Sequence, residues 1–206
     1  MINVGEWESK FSKNFPQKIA TAISGEIEVV GASYNIIAYL GQQVANGINH
    51  AVLAEQTVLN GKDSKNAVVL IFNEKPNSND VSLIDIRRIV ESGESLGGTQ
   101  VNISLDIPPQ VVKSVRTALE GWVGAKVNFV AYLGQQVKNG IDYILLTELV
   151  SLGPTDYTEL AILVANDLNK SVRFDKLFED DDDNQTISSF YVCNGKKFGV
   201  PLGEWL

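Results

Sequence analysis

Apolar and polar residues alternate between Ser33 and Leu40. Tyr34, Ile36, Ala38 and Leu40 fall on one side and Ser33, Asn35, Ile37 and Tyr39 on the other, the period-two signature of a strand. The same alternation returns at Val127, Phe129, Ala131 and Leu133 against Lys126, Asn128, Val130 and Tyr132. Ahead of each run the period changes to that of a helix. Ile19, Ala20, Ile23 and Ile27 follow Pro16, while Val112, Val115, Leu119 and Trp122 follow Asp106, a capping residue, and the Pro108-Pro109 pair. Behind each run, Asn46-Gly47 and Asn139-Gly140 predict hairpin turns, since both residue types tolerate positive φ. Return strands are predicted over 48–59 and 141–152, ended by Gly61 and Gly153-Pro154, with further strands over 67–72, 81–90, 159–165 and 172–178. The predicted class is α+β, with one helix packed across an antiparallel sheet of four to five strands.

That plan occurs twice because the chain is an internal duplication. Residues 31–48 read GASYNIIAYLGQQVANGI and residues 124–141 read GAKVNFVAYLGQQVKNGI, with 13 of 18 positions identical at a shift of 93. Average composition gives about one identity by chance over such a window. The same shift carries Pro16-Gln17 onto Pro109-Gln110, Glu55 onto Glu148, Asn73 onto Asn166 and Gly5 onto Gly98. A unit of this length suits a small domain with its own core rather than a solenoid repeat. The expected organisation is domain 1 over 1–93, domain 2 over 94–185, and a C-terminal extension over 186–206.

Composition narrows the classes. The 206 residues are 44% hydrophobic and 20% charged, enough for two modest cores. No apolar stretch approaches the length of a membrane-spanning helix, and MINVGEWESK lacks the basic-then-apolar order of a signal peptide, so a cytoplasmic protein is expected. The single cysteine, Cys193, agrees with that setting. A net charge of -8 argues against nucleic acid as a partner. The expected partner is a protein or a small molecule, with no membrane contact. Long hairpins that can open and exchange also leave room for a homo-oligomer.

The segments Gln42 to His50 and Gln136 to Tyr143 resemble the central hairpin of cystatins and stefins, where a Gln-x-Val-x-Gly turn joins the two longest strands. Gly5 and Gly98 precede the two helices, as a glycine does in that family, and 72–77 with Pro76 resembles its second hairpin. Here the signature is Gln-Val-x-x-Gly, with Ala45 and Lys138 where the family prefers valine. The resemblance implies two tandem cystatin-like domains and reversible inhibition of papain-like cysteine proteases, through a wedge made of the N-terminal segment and two hairpin tips. The residues carried over are Gly5, Gln43, Val44, Ala45, Asn46, Gly47 and Pro76 in copy one, and Gly98, Gln136, Val137 and Gly140 in copy two. Copy one is the expected better binder, because it keeps Pro76 and because Lys138 would lose hydration in a narrow cleft. The alternative is a structural or protein-interaction module of the same fold without inhibitory activity.

Enzymatic chemistry has little to build on. Cys193 would need a base, and the single histidine, His50, is expected on a strand near the hairpin tip, exposed or half-buried. One histidine and one distant cysteine do not make a usual zinc site, so neither metal nor cofactor is expected. Glu55 and Glu148 are equivalent mid-strand acids that suit a solvated sheet face. The run 179–184 has the alternate acids of a calcium loop, but Gln185 stands where the turn needs glycine and Tyr191 where it needs glutamate. Beyond it, an alternation at Ser188, Phe190 and Val192, a turn at Asn194-Gly195 and the apolar ending through Trp205 and Leu206 predict a docked hairpin-like extension.

Overall fold

A computed structural model describes residues 5–24, 27, 31–59, 64–78, 80–93, 97–123, 125–152, 158–178 and 189–192. The acidic run, Cys193, the Asn194-Gly195 turn, Trp205 and Leu206 lie outside the described residues. The chain divides into two compact units, Met1–Ser92 and Gly93–Leu206.

Unit 1 runs β1 (Trp7–Ser12), α1 (Gln17–Ser24), β2 (Ala32–Ala45), β3 (Gly47–Val58), β4 (Ser64–Glu74) and β5 (Val81–Val90). Its sheet has the order β1-β2-β3-β4-β5, all antiparallel. Unit 2 repeats this with β6 (Thr99–Ser104), α2 (Pro109–Ala118), β7 (Ala125–Lys138), β8 (Gly140–Ser151), β9 (Thr158–Asn166) and β10 (Ser171–Lys176). A short strand β11 (Ser189–Val192) adds to the outer edge of β10.

The expectation of an α+β layer, with one helix laid across the sheet, is overturned. The chain is mostly β, and the helices are short segments of 8 and 10 residues. In α1 only Ile19 is buried, and in α2 Val111, Val115 and Ala118 are. The apolar stripe read from sequence was too long for two reasons. Ile27 lies past the end of α1, and α2 closes at Leu119, where a turn hydrogen bond from Trp122 N to Leu119 O and the positive φ of Gly121 end the helical path. Each sheet also gains a first strand, β1 or β6, which the alternation did not reveal.

The sheets carry the cores. Residues 50–54 of β3 and 66–72 of β4 are buried without interruption, so in–out alternation survives only toward the strand ends. One cluster joins Ile19 to Tyr39, Val52, Ala54, Val68, Leu70 and Phe72. Its counterpart joins Val111 and Val115 to Tyr132, Leu145, Leu149, Leu163 and Phe174. On the other face Leu40 and Leu53, with their equivalents Leu133 and Leu146, are fully buried. One glycine in each unit lets the first strand lie close. A Cβ on Gly41 would lie 2.3 Å from Glu8 O, and one on Gly134 would lie 2.2 Å from Gln100 O.

The offset between the copies is not constant. Trp7 pairs with Gln43 and Thr99 with Gln136, so the first strands and helices correspond at one residue less than the hairpins do. Pro16 therefore matches Pro108 rather than Pro109, and Ile19 matches the buried Val111. The difference falls between helix and second strand.

Matched truncations test this equivalence. Leu53→Ala and Leu146→Ala, at fully buried positions, are each expected to cost about 2–5 kcal/mol. Leu59→Ala and Leu152→Ala, exposed at 61% and 69%, are expected to stay within about 0.5 kcal/mol. Urea denaturation of the four variants checks both halves of the statement.

Candidate functional site

At one end of each sheet three segments meet: the residues before the first strand, the tip between the second and third strands, and the turn after the fourth. In unit 1 the tip is built on paired Val44 and Ile48, and Gly47 takes φ +101° while Asn46 does not take a positive value. The turn is therefore a three-residue tip with glycine last, not the two-residue turn with two positive φ values that Asn-Gly suggested. Glycine is required for a second reason. A Cβ on Gly47 would lie 2.2 Å from Glu74 O and 3.2 Å from Pro76 Cδ.

A ladder of carboxamides joins the segments. Gln43 Nε2 donates to Gly5 O at 2.7 Å, and Gly5 N donates to Val44 O at 2.9 Å, tying the N-terminal segment to the tip. Asn49 Nδ2 donates to Gln43 Oε1 at 2.9 Å. Asn73 Nδ2 then donates both to Asn49 Oδ1 at 2.8 Å and to Asn46 O at 3.3 Å, tying β4 to the tip. Ala45, Asn46 and Pro76 are exposed, while Val44 and Gln43 are half-buried.

Unit 2 builds the same frame. Asn166 Nδ2 donates to Asn139 O at 3.1 Å and to Asp142 Oδ1 at 2.7 Å, and Gln136 Nε2 donates to Gly97 O at 2.8 Å. The place of Gly5 is thus taken by Gly97, with φ +82°, rather than by Gly98. Gly98 packs instead on Gly93, whose carbonyl oxygen a Cβ would approach to 2.2 Å. Around Gly140 the side chains differ from those of unit 1. Val137 is 55% exposed and Leu168 is 63% exposed, with Leu168 Cβ next to Gly140. Leu168 was missed in the sequence, where an apolar residue inside a polar turn was its one signal. Lys138, 60% exposed, keeps its Nζ 3.8 Å from Asp142 Oδ2.

Charge is distributed unequally. His50, expected to be exposed or half-buried, is buried at 4% because its ring lies among core residues on the face of Tyr39 and Phe72. Its Nδ1 is 3.0 Å from the Tyr39 hydroxyl and its Nε2 is 3.5 Å from Glu74 Oε2. Glu74 Oε1 in turn accepts from Lys18 Nζ at 2.5 Å, and this bond holds the Glu74 carboxyl below its ordinary pKa. In unit 2, Tyr143 stands in the place of His50 and Asp167 in that of Glu74, where Asp167 Oδ1 accepts from Ile141 N at 2.7 Å. Glu55 is engaged by Lys65 at 2.7 Å. Among the described residues no group of three or more His, Cys, Asp or Glu could hold a metal ion, and no helix is long and apolar enough to cross a membrane.

No family model, curated protein or solved structure matches the chain.

The ladder is testable without a ligand. Asn73→Ala and Asn166→Ala each remove a donor that bridges two segments, and each is expected to cost about 1–2 kcal/mol. Amide exchange at 45–48 or 138–141 should quicken in the matching variant only, as hydrogen-exchange NMR would show.

Proposed function

We propose that each unit is a protein-binding module whose hairpin end acts as a wedge, and that its target is the cleft of a papain-like cysteine protease. The observation that carries this reading is the convergence of Gly5, the 45–47 tip and the turn through Pro76 on one end of an antiparallel sheet, with Ala45, Asn46 and Pro76 exposed. Such an edge offers backbone and small side chains that approach a cleft closely, and its segments are pre-ordered, so little entropy is lost on binding. Blocking needs no reacting group on the inhibitor.

A second reading keeps the module and drops the protease. Both ends of the Gln43 carboxamide are spent inside the ladder, so this glutamine has a structural reason to be present in each copy. The edge then serves assembly with another protein.

Titrating papain with the full chain separates the two. Inhibition is expected, and Ala45→Glu, at an exposed position, should weaken it at least tenfold, about 1.4 kcal/mol. Gly47→Glu is a poorer probe, since its Cβ would displace Glu74 whatever the edge does. Absence of inhibition by the unmodified chain across several papain-like proteases would leave the assembly reading.

A further inference from the structure

The wedge makes no use of the chain's single histidine, which lies directly beneath it in unit 1. His50 sits in β3 opposite Gln42 of β2 and Phe72 of β4. Burial, reinforced by the charge of Glu8, pushes the Tyr39 hydroxyl well above the ordinary tyrosine range, so it stays protonated, and it shares a hydrogen bond with Nδ1. Nε2 is buried without a hydrogen bond and faces Glu74 across 3.5 Å.

The other groups that reach this point are few. Glu8 of β1 is held by Gln42 at 2.8 Å, and Lys18 of α1 binds Glu74. Lys18 Nζ also reaches Ser78 O in the β4–β5 turn at 3.4 Å. From β5, Val81, Leu83 and Ile86 pack against this cluster, while Lys75 and Asp80 of the turn are exposed.

We infer that His50 is a proton-operated latch for the unit 1 edge: once protonated, its Nε2–H closes on Glu74, draws that carboxylate from Lys18, and releases the turn that Lys18 ties through Ser78. The proton comes from solvent, and in the charged ring both nitrogens donate, Nδ1 to the Tyr39 hydroxyl and Nε2 to Glu74. Burial disfavours the charged ring and outweighs the opposing pull of Glu74, so the latch operates below the ordinary histidine range. The unfolded chain binds this proton more readily than the folded one. Stability from the neutral ring is therefore complete above the ordinary value and declines as pH falls toward the folded value. Unit 2, with Tyr143 and Asp167, lacks the latch, so the two edges respond differently to acid. The consequence for binding rests on the proposed wedge, but the latch itself requires no partner.

NMR of the full labelled chain tests it, since one histidine gives one ring signal. The ring should titrate below about 6.5. Backbone amides of 74–78 and 80 should move with the same midpoint, and those of 166–170 should not. His50→Gln should abolish the movement. If that variant fails to fold, Glu74→Gln, which removes the charge that favours the protonated ring, should lower the midpoint further. Turn amides that stay fixed while the ring titrates, that move unchanged in His50→Gln, or a ring that remains neutral until acid unfolding would each overturn the latch. The titration uses no protease, so failure of papain inhibition leaves it standing, and a fixed turn leaves the wedge standing.

Discussion

The hairpin end of each unit depends on one asparagine carboxamide that donates in two directions at once. Asn73 Nδ2 has two hydrogens, and one reaches the tip carbonyl of Asn46 while the other reaches Asn49. Aspartate in that place could not donate, and glutamine would carry the amide one methylene too far. Because the bridge draws β4 against the tip, Glu74 O comes so close to Gly47 that no Cβ fits. The glycine and the asparagine are therefore one constraint. Register follows, since a one-residue slip of the hairpin would break the ladder and turn Leu53 and Val52 to opposite faces.

Within this frame the copies have diverged in chemistry while keeping geometry. Asn49 becomes Asp142, which still accepts from Asn166 but cannot donate to Gln136. The freed carboxylate oxygen instead lies near Lys138. His50 and Glu74, a titratable pair joined to Lys18, give way to Tyr143 and to an aspartate spent on the backbone of Ile141. One edge thus rests on a histidine–glutamate pair and the other on a tyrosine and an aspartate.

What the sequence disclosed follows from how local each signal is. The central hairpins were legible because alternation, turn residues and 13 shared identities agree over one continuous stretch. Strands β1 and β6 were not, because each is short and bulged, and it owes its extended form to pairing with a strand far along the chain. The helices were overestimated because apolar spacing continued past the residues where the backbone turns. The one-residue offset was hidden for a similar reason. Gly97-Gly98 and Pro108-Pro109 are doublets, and either member satisfies an alignment until register is known. His50 looked peripheral because nearness to a tip along the chain does not measure depth beneath it.

The difference between Ala45 and Lys138 suggested that the second edge binds less well, and the structure alters the terms of that comparison. Leaving water unpaired would cost an ammonium a few kcal/mol, but Lys138 keeps a carboxylate 3.8 Å away and remains 60% exposed. Val137 and Leu168, more than half exposed on either side of the tip, would each contribute roughly 1–2 kcal/mol on burial against a partner. Those gains are of the same order as the penalty. On the wedge reading proposed above, the edges therefore differ in what they would select more than in strength. Unit 1 offers small uncharged residues, suited to a narrow neutral cleft, and unit 2 offers two apolar side chains beside a cation, suited to a wider one with an acid at its rim.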